Sequence, residues 1–243
     1  MELRGLVQGR LALRENRFRA RVLLADEPVA AHVPNSGRLR ELLVPDARVW
    51  LAPAARPGRR TAYDLALVEH AGRLVSVDAR LPNALFGEAL AADWQACGRV
   101  LQVQREAPLG SSRLDYCLTG TAGRCWVEVK SVTLVRDGVA MFPDAPTARG
   151  VRHVRELQAA VAAGEAAAVV FVVQRDDAHA FRPYAENDPA FATALTQAAA
   201  AGVQVRAYRC RVATTGVWLD SEIPVLLADG APLTATRSTP CPP

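Results

Sequence analysis

Apolar and polar residues alternate along most of the first eighty positions, which is the pattern of half-buried β-strands. The longest alternating stretch covers residues 11–24, and shorter ones follow at 30–33, 48–52, 61–70 and 73–78. Glycine and proline separate these stretches, as turn residues do. The pattern predicts a small β-barrel, and the oligonucleotide-binding (OB) type is the natural candidate because this part of the chain is basic.

Helical spacing appears after Pro82. The pattern predicts a helix over residues 83–96, with Asn83 as its cap and Gly98 as its stop. Strands are predicted at 100–107, 113–118, 125–135, 167–173 and 203–212, with helices at 147–163 and from Asn187-Asp188-Pro189 to Gly202. The order α-β-β-β-α-β-α-β indicates a mixed α/β sheet with a right-handed crossover.

These patterns divide the chain into a barrel at residues 1–82 and an α/β domain at 83–227. The remaining residues, 228–243, have turn composition and are predicted to be a disordered tail. The chain has neither the long apolar run of a signal peptide nor a stretch long enough to span a membrane. Five cysteines without close-paired spacing read as reduced thiols, so we expect a cytoplasmic protein.

Charge is distributed unevenly between the two parts. Residues 1–82 contain 14 arginines and 9 acidic residues, a net charge of +5, whereas the rest has a net charge of −1. A positive barrel suits a polyanion such as DNA, because cationic side chains contact phosphates and release counterions. The alternative is a basic surface that only faces water.

Lysine is almost absent from the chain. Of the 29 basic residues 28 are arginine, and Lys130 is the only lysine. An ammonium group is a compact charge with an adjustable pKa, whereas a guanidinium is a broad fork that stays protonated. Lys130 is therefore a candidate for a role that arginine cannot fill, although survival by chance remains the alternative.

Two predicted strands bring acidic residues toward this lysine. Alternation along the strand puts Glu128 and Lys130 on the face opposite to Val127 and Val129. If the strands form a hairpin about residues 120–123, Asp115 becomes a near neighbour of Glu128. Two carboxylates side by side repel each other unless a cation neutralises them, and oxygen ligands suit Mg²⁺ or Mn²⁺. The alternative is a pair of solvated strand faces.

The arrangement of Asp115, Glu128 and Lys130 resembles the PD-(D/E)xK nuclease motif, and the order of elements resembles the restriction-endonuclease-like fold. The resemblance implies that Asp115 and Glu128 hold the metal and that all three residues are catalytic, with Lys130 positioning water or offsetting charge on the phosphate. It also implies that Glu88, on the preceding helix, is an additional metal ligand.

Longer stretches resemble the sugar fermentation stimulation protein A family. They are Val33-Pro34-Asn35-Ser36-Gly37-Arg38, Ser112-Arg113-Leu114-Asp115-Tyr116, Val127 to Leu134, Phe142-Pro143-Asp144-Ala145, and the helix segment that carries Thr147, Arg149, Gly150, His153, Glu156 and Leu157. The resemblance runs from near residue 1 to about Leu227. It implies an OB-type barrel joined to a nuclease-like domain, DNA binding, and a regulatory part in sugar (maltose) metabolism.

Two further groups of residues are candidates for contact with nucleic acid. Arg149 and His153 share one helix face and are placed to reach a phosphate, unless that face is only solvated. The turn at Asn35 and Ser36 offers backbone amides and a hydroxyl to an anion, with Arg38 and Arg40 behind it. Without a ligand it would be a plain turn.

Three functions fit these observations. The first is a DNA-binding protein with a magnesium-dependent phosphodiesterase site, which makes the chain a candidate nuclease. The second is a DNA-binding regulator without catalysis, and the third is a binder of a small sugar or organic acid between the domains. The sequence leaves open the number of subunits, a dimer included, and the choice between DNA and RNA.

Overall fold

The computed structural model describes residues 1–54, 58–89, 94–227 and 232–233. The first domain consists of six strands: β1 Val7–Asn16, β2 Arg19–Leu24, β3 Glu27–His32, β4 Arg48–Pro53, β5 Tyr63–His70 and β6 Arg73–Ser76. Their order is β3-β2-β1-β4-β5-β6, and parallel pairing of β3 with β5 closes the first five into a barrel. The predicted OB-type barrel is therefore confirmed.

The barrel interior contains the apolar residues of the alternating pattern, among them Leu11, Val22, Val49 and Leu65, all fully buried. The segment 11–24, predicted as one alternating stretch, is a hairpin. Its turn forms where the Asn16 side chain accepts a hydrogen bond from the Phe18 amide at 2.9 Å, because asparagine readily bonds to backbone two residues ahead.

The second domain contains the remaining elements: α1 Leu81–Ala89, β7 Val100–Leu109, β8 Ser112–Gly120, β9 Gly123–Val132, β10 Val135–Arg136, β11 Val139–Phe142, α2 Ala148–Ala162, β12 Ala166–Val173, β13 Ala180–Pro183, α3 Pro189–Ala200, β14 Gln204–Ala213, β15 Gly216–Ile223, β16 Val225–Leu226 and β17 Pro232–Leu233. Its main sheet has the order β15-β14-β12-β9-β8-β7, with β12 parallel to both β9 and β14. A smaller sheet has the order β10-β11-β13-β16-β17. The predicted mixed sheet is confirmed.

Both faces of the main sheet are covered, which explains why β12 is apolar at nearly every position. Val169 and Phe171 pack with α2 and α3 on one face. Val170 and Val172 pack on the other face, in a cluster that also contains residues of α1 and Leu67 of the barrel. The two domains therefore share one apolar cluster.

Side-chain caps begin both α2 and α3, and the cap of α3 lies within the predicted segment Asn187-Asp188-Pro189. The hydroxyl of Thr147 accepts from the Gly150 amide at 3.0 Å, and the carboxylate of Asp188 accepts from the Phe191 amide at 3.0 Å. Pro189 opens α3, where a proline costs no helical hydrogen bond.

The first helix differs from the prediction. It begins at Leu81, so Asn83 is inside the helix instead of capping it, and the residues described after the gap at 90–93 are not helical. The side chain of Asn83 bonds to Asp115 of β8 instead.

Hydrogen bonds join the domains at the end of β6. Ser76 donates to Gln174 through its amide and through its hydroxyl, both at 3.0 Å, and the Gln174 side chain donates to Ser131 at 2.9 Å. The predicted tail at 228–243 lies outside the described residues, except for Pro232–Leu233 in β17. Among the described helices, none has the length and apolar character needed to cross a bilayer.

Candidate metal centre

The site begins where the β8–β9 hairpin opens. The two strands pair from Gly120 with Gly123 to Tyr116 with Val127, as the predicted hairpin requires. Beyond that point the regular pairing stops, and the Val129 amide donates to Oδ2 of Asp115 at 2.7 Å. The carboxylate of Asp115 thus takes the place of a backbone carbonyl in the gap between the strands.

Asp115 is held from a second side by α1. The side-chain amide of Asn83 donates to Oδ1 of Asp115 at 2.8 Å. Burial, and secondly the negative charge of Glu128, raise the pKa of Asp115 to about 6, although these hydrogen bonds and the charge of Lys130 oppose the rise. The repulsion shows that the two carboxylates are electrostatic neighbours.

Glu128 is buried in the sheet, with 4% of its surface exposed. Its Oε1 accepts from Nζ of Lys130 at 2.5 Å and lies 2.6 Å from Nδ1 of His153. Burial favours the neutral form most strongly, but Lys130 and His153 together outweigh it, so the pKa of Glu128 is lowered. Its other oxygen, Oε2, is buried and has no hydrogen-bond partner in the described part of the protein.

The strand phase predicted for these side chains agrees with the packing. Trp126 and Val132 pack with α2 and α3, while Val127 and Val129 pack on the opposite face. Glu128 and Lys130 therefore face α2. That face is covered, so only 12% of the Lys130 side chain is exposed and its ammonium group stays beside Glu128.

His153 has a different place from the one predicted for a nucleic-acid contact. It lies in α2 with 1% of its surface exposed and bonds to Glu128 through Nδ1. Its Nε2 accepts from Nε of Arg149 at 3.2 Å. Because the packing of α2 against the sheet buries this face, His153 supports the acidic pair and does not face solvent. Arg149 is exposed, and only its Nε group is directed at the histidine.

Glu88 is not brought to the acidic pair. Its carboxylate lies 3.5 Å from the amino nitrogen of Met1, and 58% of the side chain is exposed. Asn83 and Glu88 are five residues apart, about 140° around a helix, so they project from different sides of α1. The residue of α1 that reaches Asp115 is Asn83.

The turn predicted to bind an anion already binds a carboxylate of the protein itself. The carboxylate of Asp144 accepts from the backbone amide of Arg38 at 2.6 Å and from that of Leu39 at 3.3 Å. Asn35 is buried, and its side chain is used internally, donating to the Val77 carbonyl and accepting from the Gly37 amide.

A Cβ on Gly37 would lie 2.7 Å from the Asp144 carboxylate, so only glycine permits this approach. Two residues of the predicted group, Ser36 and Arg40, remain exposed. The Arg38 side chain is also exposed, with Nη1 placed 3.4 Å from the Asn187 side-chain oxygen.

Sequence reasoning missed the roles of Asn83 and Asp144. Each acts on a partner far along the chain, 32 residues away for Asn83 and 106 for Asp144 with Arg38. A clue for Asp144 existed in the segment Phe142 to Ala145, which the family resemblance included without a role. Within the described ranges, no group of three or more His, Cys, Asp or Glu side chains is arranged to hold a metal.

Two family models match the chain. The model described as the SfsA N-terminal OB domain matches residues 13–77, and the one described as the sugar fermentation stimulation protein RE domain matches residues 80–216.

Among curated relatives, the sugar fermentation stimulation protein homolog of Moorella thermoacetica is 46% identical over 225 residues, which is 91% of this chain and 97% of the relative. That of Desulforamulus reducens is 44% identical over 91% of this chain and 93% of the relative.

A solved structure, described as Pyrococcus furiosus SfsA in complex with Ca²⁺, is 32% identical with a TM-score of 0.83 and covers 93% of this chain and 97% of its own. Because the matching models and relatives extend over both domains, this chain belongs to the sugar fermentation stimulation protein (SfsA) family.

Proposed function

We propose that this protein is a metal-dependent phosphodiesterase acting on DNA, with Asp115 and Glu128 as the ligands of a divalent cation and Lys130 beside them. One observation carries the proposal. Oε2 of Glu128 is buried and has no hydrogen-bond partner among the described residues, and Glu128 repels the carboxylate of Asp115. A buried acceptor without a partner costs free energy, which a bound cation would recover.

The chemistry of the donors fits a hard cation. Asp115 and Glu128 supply carboxylate oxygens, the ligand type that Mg²⁺, Mn²⁺ and Ca²⁺ prefer. Oδ1 of Asn83 is a second buried oxygen without a partner in the part of the chain that the structure describes, on a residue that contacts Asp115. The SfsA of Pyrococcus furiosus, described as a complex with Ca²⁺, supports a divalent ion in the family. When bound, such a cation polarises a phosphate and lowers the pKa of a coordinated water.

Lys130 supplies the positive charge of the site. Its ammonium group is 2.5 Å from Oε1 of Glu128 and largely buried, so the charge is only weakly screened by water. A compact cation in this position offsets negative charge as it builds up on a phosphate. We assign it the stabilisation of that charge, while Asp115 and Glu128 hold the metal.

The substrate assignment rests on charge and on the barrel. The first domain has a net charge of +5, and Ser36, Arg38 and Arg40 are exposed on it. A polyanion such as DNA suits this surface, because cationic side chains contact phosphates and release counterions.

The proposal is tested by measuring ion binding and cleavage on the same samples. Wild type, Asp115→Ala and Lys130→Ala are titrated with Mn²⁺ and Mg²⁺ by calorimetry, then incubated with single-stranded and double-stranded DNA and RNA. We expect Asp115→Ala to lose ion binding and both variants to lose cleavage by at least about 100-fold. Glu88→Gln, a matched acidic control outside the pair, should behave as wild type. Cleavage that survives in both site variants would remove the assigned site.

A second candidate is a DNA-binding regulator of sugar metabolism without catalysis. Two observations favour it. The described residues contain no group of three or more His, Cys, Asp or Glu side chains arranged to hold a metal, and the relatives are named for stimulation of sugar fermentation. Salt-dependent DNA binding with no turnover in any divalent metal would select this function over the first.

A further inference from the structure

The two oxygens of the Glu128 carboxylate have opposite surroundings. Oε1 has two polar neighbours, Nζ of Lys130 at 2.5 Å and Nδ1 of His153 at 2.6 Å. Oε2 is buried and has none in the described part of the chain. Since rotation about the carboxylate would exchange the two ends, the pair of neighbours determines which oxygen stays free.

The hydrogen bonds of His153 determine where its proton lies. The Nε–H group of Arg149 only donates, because a guanidinium has no acceptor. Nε2 of His153, which receives that bond at 3.2 Å, must therefore be unprotonated. The proton is then on Nδ1, where it is donated to Oε1 of Glu128. These two hydrogen bonds hold the histidine in the tautomer that presents Nδ1–H to Glu128.

The helix that carries His153 is itself held on both sides. Gly150, one turn earlier, packs so closely on Thr147 that a Cβ would lie 2.7 Å from the threonine methyl group. Glu156, one turn later, accepts from the amide and the hydroxyl of Ser111, at 3.1 and 2.9 Å, in the turn between β7 and β8. With 1% of its surface exposed, His153 has little freedom to swing away from Glu128.

We propose that His153, held by Arg149, is a positioning residue that acts with Lys130 to reserve Oε1 of Glu128 and so restricts this carboxylate to coordinating a metal through Oε2 alone. The inference rests on the proposed function, because it assumes that Glu128 is a metal ligand. Mg²⁺ requires near-octahedral geometry and suits a carboxylate that binds through one oxygen, whereas Ca²⁺ readily takes both oxygens of one carboxylate. His153 therefore selects for the smaller ions and against Ca²⁺.

The test measures the affinities of the whole protein for Ca²⁺ and Mg²⁺ by calorimetry and compares their ratio among variants. His153→Phe fills the space without a donor, and we expect it to shift the ratio toward Ca²⁺ by about 10-fold or more, the usual scale for a residue that orients a metal ligand. His153→Asn keeps an N–H group near the position of Nδ1 and should retain the wild-type ratio. Arg155→Ala, on the exposed side of α2, is the matched control.

A second measurement reports on the wild-type ring itself. Nitrogen-15 spectra of the metal-free wild type, with His153 identified by its loss in His153→Asn, should report the tautomer with the proton on Nδ1. A ring protonated at Nε2, or a His153→Phe protein that is folded and has the wild-type ratio, would overturn the inference alone. A wild type that binds no divalent ion would overturn the proposed function, and this inference with it.

Discussion

Replacing Asp115 with asparagine should stabilise the metal-free protein at neutral pH. Asp115 ionises in a buried position beside Glu128, which raises its pKa from the ordinary 3.8 to about 6. Asparagine has nearly the same shape and no charge. The oxygen of the new asparagine can keep the hydrogen bond from the Val129 amide. Its amide group can donate to Oδ1 of Asn83 if the Asn83 side-chain amide flips, because this oxygen has no partner among the described residues.

The magnitude follows from the pKa difference. The folded protein holds a proton on Asp115 more tightly than the unfolded chain does, so the cost of ionisation is absent below pH 4 and grows as the pH rises to 6. Above that it is complete and amounts to about 3 kcal/mol. For a chain of this size the asparagine variant should melt roughly 5–10 °C higher at pH 7.5. The difference should vanish near pH 4.

The assay is thermal and denaturant unfolding of wild type and Asp115→Asn with a chelator present, at pH 4 and pH 7.5, followed by the same scans with Mn²⁺. A bound ion at 100 times its dissociation constant adds about 2.7 kcal/mol, so Mn²⁺ should bring the wild type close to the variant and leave the variant unmoved. A variant that is less stable at pH 7.5, or an advantage that is equal at the two pH values, would refute the reasoning.

Three further predictions concern residues around the site. Asp144→Ala leaves the amides of Arg38 and Leu39 without their acceptor and should lower the unfolding free energy by about 1–3 kcal/mol. Added sulfate should restore part of that loss. An unchanged melting temperature would contradict the role of Asp144. Lys130→Arg keeps the charge but places a wide guanidinium at a largely buried position, where only 12% of the lysine side chain is exposed. Single-turnover cleavage should therefore fall at least about 10-fold. Wild-type rates would show that any cation suffices. Ion binding should weaken as the pH falls through about 6, because protons compete for Asp115, and calorimetry at pH 5 and 7.5 gives the comparison.

The spacing of apolar residues predicts the elements that are long enough to show a repeating pattern. The apolar run 167–173 predicts a buried strand, and β12 is indeed covered on both faces. The segment Asn187-Asp188-Pro189 predicts where α3 begins. The pattern does not predict the eight-residue strand β15 or the short strands β11, β13 and β16. The three short strands have two to four residues each and pair across long stretches of chain, so no repeating pattern can develop within them.

The site divides in the same way. Strand phase predicts that Glu128 and Lys130 share a face, and the turn at Gly120 and Gly123 predicts that Asp115 approaches them. Strand phase does not reveal that α2 covers this face, so the sequence predicts a nucleic-acid contact for His153 instead of a contact with Glu128. Nor does it reveal which residue of α1 faces Asp115, because Asn83 and Glu88 are equally polar and helix rotation depends on packing against the sheet.

The apolar cluster common to both domains limits how the two domains can be separated or exchanged. Leu67 and Ala66 of the barrel belong to the same buried apolar cluster as Leu118 and Val127 of the sheet. A fragment beginning near residue 80 would leave those sheet residues facing water and would be prone to aggregate. Neither domain can be exchanged freely. A chimera with an unrelated barrel would fold only if that barrel presented the same apolar surface to the sheet.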